Sequence, residues 1–155
     1  MIELTLTELI FKGNISMNNL SFLSEFLKIG RDQRFNTPDV SVPRGYNEII
    51  NVIKSYSYVD FVISIDVLCI NEQRMKNVFV NFGIDDGITG LMLFLDLKDF
   101  GDETNKKKIE RLRNWAFEFK ENYGFESVVC RIDNGNEEEF YFNNRGWGPI
   151  YYQLK

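Results

Sequence analysis

Apolar and polar residues alternate with a period of two over three consecutive stretches in the middle of the chain. Val59, Phe61, Ile63, Ile65 and Val67 fall on one face of a strand, with Asp60, Ser64 and Asp66 on the other. A polar turn from Asn71 to Asn77 leads to Val78, Val80 and Phe82, and the Asp85-Asp86-Gly87 turn leads to a third run, Ile88 to Leu97. Period-two runs joined by polar turns predict an antiparallel three-stranded meander.

On either side the period changes. Ile2, Leu4 and Leu6 alternate with Glu3, Thr5 and Thr7, which predicts a half-buried first strand. Asn18 and Asn19 are candidate caps for a helix carrying Leu20, Leu23, Phe26 and Leu27 on one face, stopped by Gly30. Arg31 to Gly45 holds Pro38 and Pro43 without clear periodicity and reads as a long loop. A short helix buries Ile49, Ile50 and Ile53. The clearest helix runs from about Asn105 to Tyr123, where Ile109, Leu112, Ala116 and Phe119 recur at spacings of three and four. Asp102 or Thr104 can cap it, and Gly124 fits the left-handed position past its end. Val128, Cys130 and Ile132 form a strand, Phe140-Tyr141-Phe142 follows, and Ile150 to Leu154 reads as a last strand.

The order β-α-α-β-β-β-α-β-β defines an α+β fold: one domain over residues 1–155, with an antiparallel or mixed sheet whose meander is flanked by helices. A chain of this length buries roughly 68–70% of its unfolded surface, and fourteen Phe supply core material.

Composition narrows the chemistry. The chain has no histidine, which excludes Ser-His-Asp and Cys-His catalysis and histidine-ligated metal sites. Cys69 and Cys130 lie in apolar runs and are expected to be buried, reduced thiols. No basic start with an apolar run opens the sequence, and no stretch reaches about 18 apolar residues. The expectation is a cytoplasmic protein without a membrane partner. A net charge of −5 argues against nucleic acid as the main partner.

That charge is uneven. Residues 58–104 hold nine acids against three bases, and residues 105–125 hold three acids against six bases. Asp85-Asp86, Asp99 with Asp102-Glu103, and Glu137-Glu138-Glu139 each fall at a predicted turn or helix start. There they serve either as solvated turns or as an acidic surface matched to a basic partner. No segment matches the calcium-loop spacing, so no metal is expected. Lys106, Lys107 and Lys108 begin the long helix, as an ordinary solvated end or as a seat for an anion. Trp147 sits between two glycines, as a plug on the core or as an exposed anchor.

The element order, together with Asn136-Glu137-Glu138-Glu139-Phe140-Tyr141-Phe142-Asn143-Asn144-Arg145-Gly146-Trp147 and the following Tyr151-Tyr152-Gln153-Leu154, resembles the GNAT acyltransferases over residues 58–155. The resemblance implies acyl transfer from acetyl-CoA. Tyr141, with an exposed hydroxyl, would protonate the departing thiolate, and the helix start with Lys106, Lys107 and Lys108 would hold the cofactor's diphosphate. In place of a glycine-rich cofactor loop, Lys98 to Thr104 carries one glycine and three acids.

Two readings follow. The first is a small acidic binding protein without catalysis or cofactor, most concretely an immunity protein that neutralises a bacterial toxin. Its interface would use Asp85, Asp86, Glu137, Glu138, Glu139 and Trp147 against a basic protein partner. The second is a GNAT-like N-acyltransferase, active or degenerate.

Overall fold

The computed structural model describes residues 6–155; Ile2 and Leu4 lie outside them. The described residues form an α+β fold around one eight-stranded sheet in which every pair is antiparallel. In chain order the elements are β1 (Leu6–Asn14), α1 (Met17–Leu20), α2 (Leu23–Ile29), β2 (Gly30–Thr37), α3 (Tyr46–Ser55), β3 (Tyr58–Ile70), β4 (Gln73–Asp85), β5 (Ile88–Asp96), α4 (Asn105–Asn122), β6 (Ser127–Ile132), β7 (Phe140–Asn143) and β8 (Gly146–Trp147). The strands lie side by side as β2-β3-β4-β5-β1-β6-β7-β8. The first strand therefore joins the meander to the C-terminal strands.

The meander follows from its turns. Asp86 and Gly87 both take positive φ (48° and 85°), as do Asn71 and Glu72 (45° and 68°). Such pairs close two-residue hairpins that match the right-handed twist of the strands. The second turn is thus only Asn71-Glu72, shorter than the predicted stretch to Asn77. Val59, Phe61, Ile63 and Ile65 share the core face, but the alternation then slips. Leu68 and Ile70 are buried while Val67 is not, and across the pair Met75 and Val78 are both buried. Asn77, at φ 59°, lies between those two, and the β3–β4 register runs past it without a shift.

Four sequence expectations are corrected. Gly30 is extended (φ −93°) and opens β2, so half of the Arg31–Gly45 segment is an edge strand. Its exposed, polar composition hid it, as only Phe35 faces the core. The first helix starts at a Ser16–Asn19 capping box, with Asn19 inside the helix rather than capping it. The expected final strand is a 3₁₀ turn, Tyr151–Gln153. Cys69 is exposed, while Cys130 is buried and its thiol is pushed up by that burial; both are free.

All helices cover one face of the sheet. Phe11 packs on Phe119 and Trp115 of α4, and Phe22 beside α2 packs on Phe82 of β4. Thr104 caps α4 by accepting from the Lys107 amide, and Gly124 (φ 66°) lets the chain leave it. Among the described residues the other face carries no helix. No helix of the described residues is long and apolar enough to cross a membrane.

Candidate functional site

Strand register turns the open face into a map, because residues paired across strands project to the same side. One row reads Asp60–Gly83–Gly90–Lys12 across β3, β4, β5 and β1. On one side of it lie Tyr58, Asp85 and Ile88; on the other lie Val62, Asn81, Met92 and Ile10. The next row brings Phe79 and Phe94 together at 6.0 Å, followed by Glu8 and Arg131.

This face is unusually apolar for one without a covering layer. Phe79, Ile88 and Tyr58 are exposed, and Met92 and Phe94 half-buried. Around the paired glycines the surface sinks into a groove of about 800 Å³, bordered by Asp60, Asp85, Asp86 and Lys12. The Asp60 carboxylate accepts from Asn81 at 2.5 Å and from Asn36 at 3.3 Å. Among the described residues none of these three aspartates forms an ion pair. A second hollow is lined by Arg31, Arg34, Val42, Pro43, Ser64 and Phe79. The expected loop thus reaches the same face.

Farther along, Arg131 donates to Glu8 at 2.8 Å. Burial works to raise the Glu8 carboxyl, but the hydrogen bonds to Arg131 and Asp133 and the charge of Arg131 outweigh it. The group stays below the usual carboxylate range. Asp133 is pushed up by the hydrogen bond it shares with Glu8 and by its own burial.

The acidic turns named from sequence do not converge. Asp85 and Asp86 sit at the sheet end marked by Asn14, and Glu137, Glu138 and Glu139 follow Ile132 at the end marked by Thr7. The length of β1 separates these ends, roughly 25 Å. Glu139 is tied into its own turn by the Asn136 amide. Glu103 grips Arg111 through two nitrogens, which holds its carboxyl below the usual range.

Trp147 lies on the helix-covered side. It stacks on Tyr151 at 3.7 Å, meets Phe142 edge-on, and receives the Arg113 guanidinium at 5.0 Å. It is a half-buried plug at the far sheet edge. Tyr141 is fully buried and bonded to Thr7, not exposed as the acyltransferase resemblance implied. Burial, then the neighbouring Cys130, pushes its hydroxyl up to about 12. The three lysines also part company. Lys108 is buried and donates to the Leu97 carbonyl at 2.7 Å, Lys106 lies over the Tyr151 ring, and Lys107 is exposed. Among the described residues no group of three or more acids or cysteines is placed to hold a metal ion.

The groove's central residues, Gly83, Gly90 and Asp60, were not singled out from sequence as a binding site. The available signal was β5, where Ile88, Met92 and Phe94 place apolar groups on the face opposite Leu91, Leu93 and Leu95. A strand apolar on both faces predicts cover on both.

No protein-family model matches the sequence, and no curated protein matches it. The fold is similar to that of a chain in the 1.75 Å crystal structure of the toxic C-terminal tip of CdiA from Pseudomonas aeruginosa in complex with immune protein. The TM-score is 0.76 at 17% identity, covering 94% of this chain and 98% of the other. At that identity the likeness is one of fold.

Proposed function

We propose that this chain is a small, acidic, non-catalytic binding protein of the cytoplasm that neutralises a toxin by docking the open face of its sheet onto it. The observation that carries this reading is the near end-to-end fold likeness to a chain of the CdiA tip–immune protein complex. Of the two roles in such a complex, the absence of histidine favours the protecting one, because the usual general base is missing. The apolar face, and aspartates that form no ion pair among the described residues, suit a protein partner with a basic surface. The alternative, acyl transfer from acetyl-CoA, would need the buried Tyr141 hydroxyl to reach a thiolate.

Growth rescue tests the proposal. On this reading toxin and protector are inherited together, so the probe is whichever toxic tip is found encoded beside this chain's gene. Induction of that tip alone is expected to arrest growth, and co-expression of this chain to restore it. Arrest that persists at full expression of the folded chain would overturn the proposal.

A further inference from the structure

Gly83 and Gly90 are direct cross-strand partners in the interior of β4 and β5, so the open face there has a floor of bare backbone. Neither has a positive φ, and a Cβ built on Gly90 would meet nothing within 4 Å. Backbone geometry therefore does not call for glycine at position 90. Glycine inside a strand weakens it and often marks the close approach of another molecule. Two such residues side by side make a slot one side chain deep.

The walls define what fits. Tyr58 and Ile88 close one end, and Met92 and Ile10 the other, so the slot favours an apolar stem. Asp60 stands on one side. Its carboxylate is fixed by the Asn81 and Asn36 amides yet lacks a cation among the described residues. Asp85 and Asp86 sit at the mouth. Among the described residues Lys12 is the one cation in the lining, three strand spacings from Asp60, or about 14 Å. The cation-accepting side is therefore Asp60's. A long side chain with an apolar stem and a planar cationic head matches this arrangement, and Tyr58 offers that head an aromatic face.

We infer that the Gly83–Gly90 slot receives a protruding arginine of the protein partner, its guanidinium against Asp60 and its stem over the glycine floor. The inference rests on the binding role proposed above and names the anchor that role would use.

Titration calorimetry with the purified tip used in the growth assay tests it, using wild type and three variants. Gly90→Phe fills the slot on an unstrained strand position; the expected result is an unchanged or higher melting temperature with binding weakened about a hundredfold or more. Asp60→Asn keeps the shape and is expected to weaken binding about tenfold while flattening its salt dependence. Lys12→Gln removes the opposing charge and is expected to tighten binding a few-fold. A folded Gly90→Phe with wild-type affinity overturns the slot while leaving the binding role intact. Unchanged affinity in both Asp60→Asn and Lys12→Gln does the same should Gly90→Phe not fold. Absence of wild-type binding overturns role and slot together. A wild-type dimer that Gly90→Phe converts to monomer would assign the slot to a second copy and also overturn the inference.

Discussion

Arg131 and Glu8 are 123 positions apart in sequence, yet their Nε–Oε2 hydrogen bond spans only 2.8 Å across the β1–β6 pairing. Glu8 is 5% exposed and Arg131 about one-third, so the pair sits at the border of the open face. It ties the meander side of the sheet to the C-terminal side at the seam the first strand makes.

Arg131→Ala would leave the Glu8 carboxylate buried without its cation. The expected cost is about 2 kcal/mol, below that of a fully buried pair because water reaches the arginine. Urea denaturation checks this, and adding Glu8→Gln to Arg131→Ala should restore part of the loss. The acid limb has a definite sign. Glu8 and Glu103 both have carboxyls below the usual range. Their stabilisation is thus present above the ordinary glutamate value, about 4.3, and lost as pH falls through their folded values. Asp133, pushed up, acts oppositely: its stabilisation is present below the ordinary aspartate value and lost as pH rises through its folded one.

Tyr141 contributes to the alkaline limb, alongside the buried Cys130 thiol, which is also pushed up. The folded value of Tyr141, about 12, exceeds the ordinary tyrosine value. The neutral hydroxyl therefore contributes fully below about pH 10 and loses that contribution as pH rises toward 12. Wild type is expected to lose roughly 2 kcal/mol more than Tyr141→Phe over that interval, read by thermal melts at stepped pH. At neutral pH Tyr141→Phe should cost about 1 kcal/mol, from the bond to buried Thr7.

The lysines at the start of α4 are expected to differ. Lys108→Met keeps the aliphatic stem but removes the side-chain donor to the Leu97 carbonyl, which retains the Phe100 amide, at a cost of about 1 kcal/mol. Lys107→Ala should leave the melting temperature within about a degree of wild type. Millimolar acetyl-CoA is expected to produce no thermal shift. A rise of about 5–10 °C would instead support the acyltransferase reading.

Trp147 and the Glu137–Glu139 turn separate fold from binding. Trp147→Ala removes the stack on Tyr151 and the Arg113 contact, and should destabilise by about 2 kcal/mol while leaving partner affinity unchanged. Joint Asp85→Asn and Asp86→Asn should weaken binding of the proposed partner more than joint conversion of Glu137, Glu138 and Glu139 to glutamine. Calorimetry at two salt concentrations reads that difference.

By itself the sequence determined what repeats locally. The two-residue alternation with an Asp86-Gly87 turn specifies the β3–β5 meander, and the three-and-four spacing from Ile109 to Phe119 specifies α4, because each pattern answers to one backbone period. Histidine's absence was equally legible. The edge strand β2 was not, since a strand with one face in water and few apolar residues carries little period-two signal. The insertion of β1 between β5 and β6 is a long-range pairing that no local pattern encodes. It sends the Asp85-Asp86 and Glu137–Glu139 turns to opposite ends, buries Tyr141 beside Thr7, and sets Gly83 and Gly90 between Asp60 and Lys12. Strand register, settled only when the whole sheet assembles, decided which residues share a surface.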